Sequence, residues 1–251
     1  MTGKMRRMGR LLKGAGRRCL LAPLDHGPWL GPVRGIHAPV EIARQVIAGG
    51  ANALLITPGF TKALSAVLTP EVGLVLRVSI VPGLAPEASQ EMPIAGVETA
   101  LRLDADAVAA SIFFGRGQEA QTLRFLGELT EQCNRYDLPV LAEMMPPADK
   151  SYDPEAIAHA ARIAFEAGAD IIKTNYCGDV ESFRQVVASS PVPIIVAGGP
   201  SNGSGSDSVL RTVREILAAG AAGVAFGRRV WQSPDPQGLV RQMAAILFAE
   251  G

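Results

Sequence analysis

The chain has 251 residues, with 24 Lys and Arg against 24 Asp and Glu, and 48% of its residues are hydrophobic but only 5% aromatic. That length suits one large α/β unit whose core is built from Ala, Val, Ile and Leu, and the balanced charge removes any global electrostatic case for nucleic acid. Three widely spaced cysteines without a C-x-x-C pair argue against a disulfide framework or a structural zinc site. The absence of both a long apolar run and a leader-like segment argues against a membrane span or export, so the expectation is a cytoplasmic protein.

Residues 1–18 carry seven cations (Lys4, Arg6, Arg7, Arg10, Lys13, Arg17, Arg18) around a short Leu11-Leu12 anchor, which reads as a solvated, basic helical segment. Eight short apolar runs follow: "CLLAPLD" (19–25), "ALLIT" (53–57), "GLVLRVS" (73–79), "AVAASIF" (107–113), "PVLAEM" (139–144), "DIIKTN" (170–175), "PIIVAG" (193–198) and "GVAFG" (223–227). Between most of them lie helical patterns. The segment at 39–50 ends in two glycines, as a helix C-terminus does. That at 153–169 opens on Asp153-Pro154, an N-cap with proline in the first turn. That at 207–221 opens on Asp207 and closes on Gly220. Residues 80–100, rich in Pro, Gly and Glu, allow only a short helix.

Strands alternating with helices imply parallel pairing through crossovers, and continuously apolar strands imply a sheet buried on both faces. Eight such units predict a (β/α)8 TIM barrel as a single domain over 1–251. No G-x-G-x-x-G turn follows the first strand, which weighs against a doubly wound dinucleotide fold. In such a barrel the active site lies at the C-terminal ends of the strands.

One strand carries a lysine. In "ADIIKTNYCGD" (169–179), alternation places Ile171, Lys173 and Asn175 on the inner face. Lys173 is the one of five lysines inside a predicted strand. An enclosed amine is pushed toward its neutral, nucleophilic form; the competing reading is a structural ion pair with Asp25. Asp25 ends the first strand in "LDHG", where a carboxylate can bind a substrate hydroxyl or move a proton. His26, next to it, faces the other way and suits a loop hydrogen bond. The glycine turns "VAGGPSNGSG" and "AFGRR" follow the seventh and eighth strands, the two places where barrels of this kind gather phosphate-binding backbone N–H groups. Gly198, Gly199, Ser201, Gly227 and Arg228 are the candidates there.

Together, "APLDHGPWLGPVRGI", "AGGANALLITPG", "LPVLAEMMP", "AGADIIKTNYCGD", "VAGGP" and "GAAGVAFGRRVWQ" resemble the class I, Schiff-base aldolases of the archaeal fructose-bisphosphate aldolase type. The resemblance covers nearly the whole chain and looks strongest toward the 2-amino-3,7-dideoxy-D-threo-hept-6-ulosonate synthase branch. It implies that Lys173 forms the imine, that Asp25 handles substrate hydroxyls, and that the two glycine turns hold a phosphate. It further implies that no metal or other cofactor is used and that the chain forms a homo-oligomer. The implied substrates are a phosphorylated ketose or ketone of the dihydroxyacetone-phosphate type and an aldehyde such as aspartate semialdehyde.

One position departs from the family. Where it usually ends the fifth strand in Tyr-Pro-Arg-Gly, this chain has Met145-Pro146-Pro147-Ala148. Glu143 shares the face of residue 145 and is the replacement candidate, with a raised pKa suited to acid–base work; Tyr152 is a weaker one. Glu143 paired with Lys173 or Arg77 and doing no chemistry is the alternative. The missing tyrosine also leaves open an acyl transfer like that of the autoinducer-2-phosphate thiolase, a metal-dependent aldolase or isomerase, or a non-catalytic sugar-phosphate-binding barrel.

Overall fold

A computed structural model describes residues 2–84, 90–199 and 205–249. Eight parallel strands close into a barrel: β1 (Cys19–Pro23), β2 (Ala53–Ile56), β3 (Gly73–Arg77), β4 (Ala107–Phe113), β5 (Val140–Met145), β6 (Ile171–Thr174), β7 (Ile194–Ala197) and β8 (Gly223–Ala225). Neighbours run in sequence order around the ring, with β8 closing on β1. The expected (β/α)8 barrel is the fold observed.

The two-residue period of each strand divides its side chains between two cores. Leu21, Leu55, Val75, Leu141, Ile171 and Ile195 pack inside the barrel with small residues such as Ala53, Ala107 and Ala109. Their alternates, among them Leu54, Val108, Ile172, Val196 and Val224, pack outward against the helices. Small residues are required where strands converge: a Cβ on Gly223 would lie 1.9 Å from the Cys19 carbonyl oxygen.

The outer helices begin where the chain provides caps. Asp153 accepts from Ala156 N at 2.8 Å ahead of Pro154–Glu166, and Asp235 accepts from Gly238 N at 2.8 Å ahead of Pro236–Leu247. The helix expected to open on Asp207 instead runs Ser206–Ala218, with Gly205 at its N-cap and Asp207 inside the first turn. Between β3 and β4 there is a short helix, Val97–Arg102, as expected. A two-stranded antiparallel ribbon, Ser79–Ile80 with Met92–Pro93, was not expected there.

The basic N-terminal segment is not the solvated helix its charge suggested. Gly3–Leu11 lies across the N-terminal end of the barrel, and Leu11 and Leu12 are buried in the interior core. Its cations meet acids at the strand starts: Lys4 Nζ contacts Asp170 Oδ1 at 2.8 Å, and Arg10 pairs with Asp106. Asn52 ties this floor together, donating to the Leu11 carbonyl and accepting from Leu20 N. The apolar anchor, though short, is long enough to plug the barrel.

Candidate active site

At the opposite, C-terminal end the inner positions turn polar. One step above the Val75, Ala109, Leu141 and Ile171 layer, the same alternation presents Arg77, Ser111, Glu143 and Lys173, all buried. Adjacent register aligns them, with Ser111 opposite Glu143 and Glu143 opposite Lys173. Asp25, just beyond β1, completes the cluster. Arg77 Nε donates to Asp25 Oδ2 at 2.7 Å, and its Nη1 donates to Ser111 Oγ at 2.6 Å. Its Nη2 donates to Glu143 Oε2, which also accepts from Ser111 Oγ at 2.9 Å. The other Glu143 oxygen, Oε1, accepts from Lys173 Nζ. Asp25, Glu143 and Lys173 therefore converge, and Lys173 pairs with Glu143 rather than with Asp25.

The electrostatics overturn one expectation. Burial alone would raise the Glu143 pKa, but Lys173 and Arg77, charged and hydrogen-bonded to it, outweigh desolvation and hold it well below the usual carboxylate range. Glu143 is a fixed anion, not the poised acid that enclosure suggested. The His26 pKa is pushed below the ordinary imidazole value, chiefly by burial. The Nδ1 of His26 lies 3.5 Å from Asp25 Oδ1 yet makes no hydrogen bond among the described residues, while its ring packs edge-on against Trp231.

Above this layer opens a cavity of about 440 Å³. Gly198, Gly199, Gly227 and Arg228 line one side of it; Ser201 lies outside the described residues. Gly199 has φ +66°, a conformation that suits glycine, and a Cβ on Gly227 would strike the His26 ring at 2.6 Å. Among the described residues Arg228 Nε is buried without a hydrogen-bond partner. Tyr152 also faces this side: a Cβ on Gly199 would lie 3.6 Å from its hydroxyl. Ser79, Glu91, Phe113 and Arg116 line the opposite side. Among the described residues no three His, Cys, Asp or Glu side chains group as metal ligands.

Sequence reasoning did not single out Ser111, Ser79, Glu91 or Arg116. Counting by twos from Ala107 would have found Ser111. Glu91 lies in the aperiodic stretch after β3, where no pattern points inward.

The chain matches the DeoC/LacD family aldolases over residues 19–233. It belongs to that family. Among its relatives, 2-amino-3,7-dideoxy-D-threo-hept-6-ulosonate synthase 1 of Archaeoglobus fulgidus is 35% identical over 98% of this chain and 92% of that one. The 2-amino-4,5-dihydroxy-6-oxo-7-(phosphonooxy)heptanoate synthase of Streptomyces griseus is 31% identical over 93% of this chain and 86% of the relative. A solved Schiff-base-forming fructose-1,6-bisphosphate aldolase superposes with a TM-score of 0.85 at 28% identity, covering 98% of this chain and all of the other. The DeoC/LacD aldolase assignment thus rests on sequence and on the whole barrel, and it makes this chain an aldolase. Among the described residues no helix is long and apolar enough to cross a membrane.

Proposed function

We propose that this aldolase makes or breaks a carbon–carbon bond in a phosphorylated ketose through an imine on Lys173. The observation that carries the reading is the placement of Lys173: held by Glu143, it lines the same cavity as Gly198 and Gly199 after β7 and Gly227 after β8. As Lys173 attacks the ketone carbon of a dihydroxyacetone-phosphate-type donor, one Nζ proton passes to the ketone oxygen and a second to the resulting hydroxyl, which leaves as water and gives a protonated imine. Glu143 stays ionised beside that nitrogen and balances the positive charge through the cycle, a fixed counter-charge that costs no reorganisation. Asp25, oriented by Arg77, accepts hydrogen bonds from donor hydroxyls. Gly198, Gly199, Gly227 and the unpaired Arg228 Nε receive the phosphate.

The acceptor is an aldehyde, with aspartate semialdehyde as the case the family resemblance implies. A cytoplasmic location and a homo-oligomeric state belong to the same proposal. Borohydride reduction in the presence of dihydroxyacetone phosphate should add the reduced donor's mass to the peptide containing Lys173 and spare Lys4, Lys13, Lys62 and Lys150. Lys173→Arg should abolish trapping and turnover, because a guanidinium is not deprotonated in proteins. Labelling elsewhere, or an active Lys173→Arg variant, defeats the imine reading.

A further inference from the structure

Imine chemistry needs a group that takes a proton from carbon and gives one to the aldehyde oxygen. Met145, at the end of β5, cannot do this, and Glu143 is held as an anion by two cations. Tyr152 faces the Gly199 turn, on the phosphate side. We propose that Glu91 is the proton-transferring group of this aldolase, acting on the acceptor side of the cavity. The proposal rests on the imine reading above and extends it.

Three observations carry it. First, Glu91 lines the cavity that holds Lys173, aimed by a hydrogen bond between its Oε1 and the buried Ser79 hydroxyl just past β3. Second, among the described residues it is the cavity carboxyl without a cation of its own. Glu143 is bonded to Lys173 and Arg77, and Asp25 to Arg77. The Nε, Nη1 and Nη2 atoms of Arg77 are engaged with Asp25, Ser111 and Glu143, so Glu91 feels that charge without a bond to it. Among the described residues Glu91 makes no ion pair. The charged groups facing it are Arg77 and Glu143, and the net effect of its surroundings, led by burial, is to raise its pKa above the ordinary carboxylate value.

Third, the ring order puts it in the right place. The candidate phosphate-binding glycine turns follow β7, the neighbour of β6 and Lys173, and β8, the next strand round the ring. A donor anchored there and bonded to Lys173 extends its reacting carbon away from those turns, toward β3 and β4. Glu91 enters the cavity at that side.

The steps balance. Ionised Glu91 takes a proton from the carbon next to the protonated imine. The C–H pair forms the enamine double bond, and the C=N pair returns to nitrogen. The enamine carbon then bonds to the aldehyde carbon, the aldehyde π pair takes the proton from Glu91, and nitrogen again carries the protonated imine. Water hydrolyses that imine, releasing product and free Lys173. The proton removed from the donor is the one delivered to the acceptor, so Glu91 ends the cycle as it began.

The test uses the full chain, dihydroxyacetone phosphate as donor, borohydride trapping, and deuterium exchange at the donor carbon in heavy water. In Glu91→Gln, trapping on Lys173 should persist, which also shows that the barrel has folded. Exchange and turnover should both fall at least ~100-fold, the lower range for a lost general acid–base group, and the pH profile of kcat/KM should lose the limb set by this carboxyl. Glu91→Asp should recover part of the rate, and Ser79→Ala should slow exchange while sparing trapping. Exchange and turnover in Glu91→Gln within about twofold of the parent, with trapping intact, would overturn this inference and leave the imine reading standing. Failure of the parent protein itself to trap on Lys173 would overturn both.

Discussion

Lys173 and Glu143 are buried ions whose charges are answered by neighbours at hydrogen-bond range. Removing one member of such a cluster leaves its partners uncompensated, at a cost of about 3–5 kcal/mol. We predict that Glu143→Gln lowers stability in urea by an amount of that order, since Lys173 and Arg77 both lose an anion. The sign of the pH effect follows from the direction of the Glu143 shift. Its folded pKa lies below the ordinary value of 4.5, so its stabilisation is complete above that value and is lost as pH falls through and below it. Glu143→Gln should therefore flatten the acid limb of the stability profile; an unchanged limb would show that other carboxylates set it. The inward direction of Asp25, Glu143 and Lys173 was legible from alternation alone. The ionisation of Glu143 was not, because the cations that decide it lie 30 and 66 positions away and meet it only once the barrel closes.

Periodic elements were legible and aperiodic ones were not. All eight strands fall within the runs that the apolar pattern marked, apart from Met145 at the end of β5. The ribbon of Ser79–Ile80 and Met92–Pro93 was missed because two-residue strands carry no period to read. The floor helix was misjudged for a different reason. Its cations look solvated until Asp106 and Asp170, from the starts of distant strands, come to meet them. The helix belongs to stability rather than to chemistry, being at the end of the barrel away from Lys173. Leu11 fills the space over Gly73, where an added Cβ would lie 2.7 Å from Leu11 Cδ2. We predict that Leu11→Ala costs about 2–5 kcal/mol, as buried leucines do, with KM for donor and acceptor unchanged. A shift in KM without loss of stability in a denaturant melt would mean that the floor communicates with the mouth.

Barrel closure sets how long a substrate the site spans. In the ring of eight, β4 lies directly opposite β8, with β6 midway between them. The loop after β4 brings Arg116 to the cavity rim, its guanidinium stacked 4.1 Å from the Phe113 ring centroid. Arg116 makes no ion pair among the described residues, whereas Arg77 deep in the cavity is fully engaged. Among the described residues the mouth thus holds guanidinium groups without an ion pair at opposite ends, Arg228 and Arg116, which the proposed imine reading puts on the donor and the acceptor side of Lys173. That spacing suits a product with an anion at each end, such as the phosphate of the donor and the carboxylate of an amino-acid-derived aldehyde. We predict a crossed selectivity. Arg228→Ala should raise KM for phosphorylated donors about ten- to a hundredfold, the effect of losing a charge-assisted hydrogen bond, while leaving acceptor KM nearly unchanged. Arg116→Ala should raise KM for a carboxylate-bearing aldehyde by a smaller factor, because its site is open to water and screened, and should spare an uncharged aldehyde of similar length. Steady-state kinetics with the two aldehydes against a common donor decides it: equal losses for charged and uncharged acceptors in Arg116→Ala would show that the acceptor's anion is held elsewhere or not at all.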